Sequence, residues 1–258
     1  MIRMIRPNLL PRLTAMVGAF EGGSLAGDFD GQVASWGPFQ WNIGQGTLLP
    51  LLRRIAEIDP SRTQAILGGD LIAALTDNAT LTRFFRERVL VADNQARARP
   101  DYIRAFASLA NTVAARQAFA EHSAVYVDRA ARDAARLGFI TERGIALTLD
   151  IAVQNGGIRT ARTALGVENS HLDRFWGLCQ AHHHPEWERL RLLAHVVADM
   201  ANPRWRENVR ARKVTIAVGN GRVHGRDYIL ERDFGIRYWS NREARIPATW
   251  HATPHFGA

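Results

Sequence analysis

Apolar residues recur at helical spacing at Leu13, Met16, Val17 and Phe20, and predict a helix over 12–21 that stops at Gly22-Gly23. The period is then lost. From Gly22 to Gly46 the chain is punctuated by Gly27, Gly31, Gly37, Gly44 and Gly46 with aromatic residues between them, which predicts turns and short strands. Helical periodicity returns over 48–58, 61–75, 80–99, 101–119, 120–137 and 141–155, with Pro60 and Pro100 as stops. The stretch from Ile145 to Val153 is apolar nearly all round, as a buried central helix would be. Further helices are predicted over 170–181 and 185–201. Two strands, 213–218 and 222–230, are predicted on either side of a Gly219-Asn220-Gly221 turn. The last twenty residues are aromatic and basic with weak order. The pattern predicts a mainly α, α+β chain organised as one domain over 1–258, with no repeat and no linker. Its parts are a small β-containing lobe at about 22–46, a helical lobe at about 47–205, and a C-terminal hairpin and tail at about 213–258.

Charge narrows the partners. Lysine and arginine number 33 against 25 acidic residues, a net charge of +8, and Lys213 is the single lysine. Arginine binds carboxylate and phosphate as a planar fork, so an anionic partner is expected; an arginine bias also arises simply from a GC-rich genome. With 47% hydrophobic residues the chain can bury a core, and with one cysteine, Cys179, it has no internal disulfide. No apolar run is long enough to span a membrane. Residues 1–20 are interrupted by Arg3, Arg6 and Arg12 and make a poor signal peptide.

The segment from Glu21 to Asn42 carries the candidate chemistry. A glutamate at a helix end precedes Asp30 by nine residues, across a glycine-rich loop. Glycosidic hydrolysis uses two carboxyl groups flanking the scissile bond, one as acid and one as base or nucleophile. Glu21, placed behind Val17 and Phe20, is the candidate acid, and Asp30, on a polar loop, the candidate second carboxylate, with Asp28 as fallback. The plain alternative is that Glu21 ends a helix and the aspartates make turns.

This segment resembles the lysozyme-like glycosidase superfamily, in three of its branches. Asp30-Gly31-Gln32-Val33-Ala34-Ser35-Trp36-Gly37 is similar to the Asp-Gly-Arg-Gly-Tyr-Thr-x-Gly stretch of chitosanases, although the spacing between Glu and Asp is longer in that branch. The resemblance implies Asp30 as base and Ser35 as the hydroxyl that holds the attacking water. Phage-type lysozymes share the nine-residue spacing from Glu to Asp. Ser35-Trp36-Gly37-Pro38-Phe39-Gln40 resembles the Ser-x-Gly-Leu-Met-Gln of lytic transglycosylases, and Val153-Gln154-Asn155-Gly156-Gly157 their Ala-Tyr-Asn-Ala-Gly, with Gln154 in place of the tyrosine. The fold so implied is two-lobed and lysozyme-like, with a small β lobe near the N-terminus, a buried central helix and a C-terminal β-hairpin.

Chitosan is a polycation that a +8 protein repels unless its cleft is locally acidic, whereas peptidoglycan carries carboxylates and phosphates. The expected activity is therefore a muramidase-like, bacteriolytic hydrolysis of β-1,4 bonds in peptidoglycan, without cofactor or metal. Carboxyl groups about 6.5–9.5 Å apart would give inversion and about 5–5.5 Å retention. A lytic transglycosylase using Glu21 alone, a chitosanase, and a non-enzymatic wall-binding or phage-structural module are the alternatives. Trp36, Phe39 and Trp41 are the candidates for stacking on sugars, with core packing the competing reading. Asp28, Gln40, Asn42, Gln45, Gln154 and Asn155 are the candidates for hydrogen bonds to the glycan.

The other clusters carry less. His182-His183-His184 lacks a second ligand pair, Cys179 reads as a core thiol, and no Gly-x-Ser-x-Gly elbow or phosphate loop exists. Arg204, Arg206, Arg210, Arg212, Lys213, Arg222 and Arg226, interleaved with Trp205 and Tyr228, form the densest basic region and read as a solvated face or an acidic-polymer surface. No nucleic-acid-binding motif accompanies them. The expected partners are glycan strands and a delivery or immunity protein, and the expected place of action is the cell wall, reached by non-standard export or host lysis.

Overall fold

The computed structural model describes residues 9–22, 24–159, 170–180 and 183–238. The chain divides into two compact units, Thr14–Val127 and the remainder, Met1–Leu13 with Asp128–Ala258. The division falls inside two helices, α1 (Leu9–Glu21) and α7 (Val113–Leu137), each of which contributes residues to both units.

In the unit Thr14–Val127, α1 ends where Gly22 takes a left-handed φ of 89° and donates its N–H to Gly18 O at 2.9 Å. Two short strands follow, β1 (Ser35–Trp36) and β2 (Trp41–Asn42), antiparallel with Ser35 opposite Asn42 and Trp36 opposite Trp41. Helix α2 (Leu48–Ile58) buries Leu48, Leu49, Leu51, Leu52 and Ile55 on one stripe. Asp59 stops it and caps α3 (Pro60–Leu67) by accepting from Arg62 N at 3.1 Å.

Two predicted helices in this unit are broken. The one over 61–75 parts at Gly68, whose φ of 82° no helix tolerates, into α3, α4 (Gly69–Ala73) and a 3-10 turn, Ala74–Thr76. The one over 80–99 stops early. Helix α5 (Asn78–Phe84), capped by Asp77, runs into a π-helical turn (Phe85–Val89), and the chain then forms a hairpin of β3 (Leu90–Val91) and β4 (Asn94–Ala98). The cause is tertiary: β4 receives the glycine-rich loop, Asp28 donating its N–H to Gln95 O at 2.7 Å. Helix α6 (Pro100–Ala110) ends at Asn111-Thr112, and α7 runs unbroken across the predicted boundary at 119–120.

The other unit is built on α8 (Glu142–Asn155), the predicted central helix. Its first turn is capped by the Thr141 hydroxyl and its end by left-handed Gly156, and Gly144 to Ala152 are all buried. Helices α9 (His171–Cys179), α10 (Glu186–Asp199) and α11 (Arg206–Val218) follow. The predicted strand over 213–218 is the last part of α11. Its β-branched Val-Thr-Ile run imitates a strand, but Val209, Arg212, Lys213 and Ile216 share one buried helical face. Gly219 therefore serves as a C-cap with φ 95°, and the hairpin is β5 (Asn220–Val223) and β6 (Arg226–Ile229), turning at His224-Gly225. A short α12 (Leu230–Phe234) is the last element among the described residues.

The predicted core thiol is half-buried: Cys179 lies beside Leu178, which is 46% exposed. His184 pairs with Glu188 at 2.7 Å and His183 is exposed, while His182 and the aromatic tail lie outside the described residues. Among the described residues no His, Cys, Asp or Glu group is arranged to hold a metal ion, and no helix is long and apolar enough to cross a membrane.

Candidate active site

Glu21 is the last residue of α1. Its backbone is fixed by the helix and by the turn at Gly22, and one carboxyl oxygen, Oε1, is shielded from solvent while the residue as a whole is half-buried. The loop that follows is held by its own carboxylates. Asp28 Oδ1 accepts from Val33 N at 3.0 Å, and Asp30 Oδ1 from Gln32 N at 3.2 Å. Val33 has a φ of 67°, a conformation a β-branched residue rarely adopts, and the Asp28 bond secures it there. Arg86, on the π-helical turn, reaches Asp28 Oδ2 at 4.0 Å. The two aspartates thus part in role. Asp28 is a partly buried brace, and Asp30 is exposed, with its carboxylate open to solvent.

Close approach fixes the loop further. A Cβ on Gly27 would fall 2.5 Å from Gln95 O and 2.7 Å from Ala96 C, so only glycine allows the loop to lie on β4. Ser35 is 4% exposed, and its backbone exchanges hydrogen bonds with Ala26 at 2.9 and 3.1 Å.

The predicted sugar-stacking residues turn inward. Trp36 is fully buried, edge-on to Phe106 at 5.0 Å, and Trp41, 2% exposed, lies parallel to Phe119 at 5.4 Å. Phe39 is also buried, against Trp41 and Tyr126. These rings make the aromatic core of this unit and present no face to a glycan, because period-two alternation fails in two-residue strands buried on both sides. Asn42 shapes the following turn, its Oδ1 accepting from Gln45 N at 2.8 Å. Gln40, in a left-handed conformation, donates its side chain to Gly37 O at 3.2 Å, and Gln45 is exposed.

In the other unit, Gln154 and Asn155 close α8. Gln154 is held at both ends of its amide, Oε1 accepting from Lys213 Nζ at 2.7 Å and Nε2 donating to Asn208 Oδ1 at 3.1 Å. Sequence reasoning missed what lies beneath it. Asp150, Arg212 and Lys213 form a buried ion triad, each cation 2.5 Å from one carboxyl oxygen. Two members of the predicted basic face are therefore interior, and Arg210 is bound to Glu207 and Asp199, both at 2.8 Å. Arg204, Arg222 and Arg226 remain exposed. Burial alone would raise the Asp150 carboxyl, but Arg212 and Lys213 outweigh it and hold it below the usual carboxylate range. The single carboxylate within the apolar run 145–153 and the lone lysine of the chain were the available signals.

No protein-family model matches the sequence, and no curated protein matches it. Solved structures do. Native chitosanase from Bacillus subtilis MY002 superposes with a TM-score of 0.56 at 17% identity, over 88% of this chain and 97% of that one. A chitosanase complex superposes at 0.54 with 21% identity, over 84% and 94%. Chitosanase OU01 with substrate gives 0.55 and 19%, again over 84% and 94%. The chain has the chitosanase fold. This is the α+β, lysozyme-like architecture expected from the segment around Glu21, and at these identities the likeness is one of fold. Within the chitosanase fold, the unit Thr14–Val127 carries Glu21, Asp28 and Asp30, and the other unit carries the buried triad and Gln154.

Proposed function

We propose that the protein is a glycoside hydrolase that cleaves β-1,4 linkages of an amino-sugar polymer of the peptidoglycan type. Glu21 protonates the leaving oxygen and Asp30 activates water on the opposite face. The observation that carries this reading is the contrast between two carboxylates of one unit. Glu21 is fixed at a helix end with one oxygen shielded, and Asp30 is open to water on a braced loop. Two carboxyl groups in unlike environments are what acid and base roles require. The lysozyme-like fold supports the same reading.

The preference for peptidoglycan rests on charge. Chitosan is the second reading, and two observations favour it. The solved structures of this fold include a glutamate-to-alanine variant of the Bacillus subtilis MY002 chitosanase complexed with 6 GlcN, at a TM-score of 0.56 and 16% identity over 88% of this chain and 97% of that one. The unit bearing the candidate carboxylates also has ten arginines against eleven acidic residues, so it is slightly acidic and the rest of the chain carries +9. The proposed place of action is the cell wall, reached with a delivery partner.

The test is release of reducing ends from purified peptidoglycan and from chitosan by the wild type and by Glu21→Gln. Release abolished by the substitution supports the glycosidase, and the preferred polymer decides the substrate. Anhydro ends in place of reducing ends replace hydrolysis with a transglycosylase that uses Glu21 alone. No release from either polymer, with wall binding unchanged by Glu21→Gln, leaves a binding module.

A further inference from the structure

Of the three large apolar side chains in the loop between α1 and β1, Leu25 and Val33 are buried, and beyond it Trp36, Phe39 and Trp41 are too, all 5% exposed or less. Phe29 is the exception at 48%, and it is the one aromatic ring among the large exposed hydrophobic residues described in Thr14–Val127. Leaving a phenyl ring half in water forgoes burial that its neighbours obtain.

Disorder of the loop does not account for this. Phe29 donates its N–H to Gly27 O at 3.0 Å, and its two flanking residues are Asp28, tied to Gln95 O and Val33 N, and Asp30, tied to Gln32 N. Gly31 at φ 85° and Val33 at φ 67° complete a tight turn on which Phe29 and its sequence neighbour Asp30 are both exposed. A half-exposed ring on a braced turn, next in sequence to an exposed carboxylate, matches the chemistry of a pyranose. The apolar C–H face of the sugar covers the ring, and its hydroxyl or amino substituents meet acceptors at the edge.

We infer that Phe29 is the sugar-stacking platform of this site, taking the C–H face of a pyranose bound alongside Asp30. The inference rests on the reading of Asp30 as the second carboxylate. It also supplies the aromatic contact that Trp36 and Trp41, being core residues, do not make.

Binding is measured in the Glu21→Gln background, so that nothing is consumed, with the glucosamine hexamer and with solubilised peptidoglycan glycan strands as probes. Adding Phe29→Ala is expected to weaken binding of the preferred probe about tenfold, Phe29→Trp to preserve it within about twofold, and Phe29→Leu to behave as Ala. In the active protein Phe29→Ala should raise KM by a similar factor and leave kcat within about twofold. Its thermal midpoint, read in parallel, should fall by no more than about 4 °C because about half of the ring is in water. Unchanged binding on Phe29→Ala, or leucine as good as phenylalanine, overturns the platform alone. Failure of the Glu21→Gln protein to bind either probe overturns both the platform and the glycosidase reading.

Discussion

Lys213 and Asp150 form an ion pair inside the protein: Nζ stands 2.5 Å from Oδ2, and neither side chain is exposed. Arg212 takes the other carboxyl oxygen, so the same buried anion meets both buried cations. Removing one partner from such a group leaves charge uncompensated in the interior. Asp150→Asn is expected to destabilise the fold by roughly 3–5 kcal/mol, read by urea unfolding. A loss below about 1 kcal/mol would mean that water reaches the triad.

Acid should destabilise the fold through His171. This ring is 1% exposed, and its Nδ1 and Nε2 face the backbone N–H and the guanidinium of Arg159, both at 3.2 Å. Burial first, then the charges of Arg159 and Lys213, push its pKa down to about 4. A depressed value means that the unfolded chain takes up the proton first. Stability is therefore full above about pH 6.5 and falls by up to about 3 kcal/mol as the pH drops to 4. His171→Gln should flatten that part of the curve of unfolding free energy against pH. An equally steep curve for the variant would assign the loss to other groups.

The three carboxylates near α1 should separate by phenotype. Under the proposed mechanism Glu21→Gln and Asp30→Asn each lower kcat by about 10²–10⁴, and Asp30→Asn leaves the thermal midpoint nearly unchanged because Asp30 is exposed. Asp28→Ala removes the acceptor that holds Val33 N and should cost about 1 kcal/mol of stability. A kinetic loss for Asp28→Asn with normal turnover for Asp30→Asn would reverse their roles.

Gly27→Ala tests whether the loop depends on β4. The added methyl would lie 2.5 Å from a backbone oxygen that cannot rotate away, so a loss of about 1–3 kcal/mol is expected. Activity should fall with it, because the same loop bears Asp30. Calorimetry and a turnover assay on one preparation decide this; normal values for both would show that the loop is free to lift.

The elements legible in the sequence were those fixed by local signals. Helix α1 ends at Gly22 as predicted, and α8 and α9 begin at Thr141 and Ser170, the first residues of two predicted helices, whose side chains serve as their caps. The illegible ones were decided by distant partners. Residues 90–98 leave the helix to pair with each other and with the loop at Asp28, and 213–218 stay helical because Arg212 and Lys213 find Asp150. A hydrophobicity pattern counts those two cations as surface, and so hides the inward face of α11. The same blindness sent Trp36 and Trp41 outward and left Phe29 unremarked.

By itself the sequence determined the helix that ends in Glu21, the glycine-rich loop carrying Asp28 and Asp30, and the apolar helix that α8 became. These are consequences of spacing, caps and breakers acting over a few residues. Only the tertiary structure decided which aspartate is brace and which is exposed, which aromatic rings form core, and which charges are buried. The buried rings and charges depend on partners tens of residues away, Trp36 on Phe106 and Arg212 and Lys213 on Asp150, and burial is a property of the partner as much as of the residue.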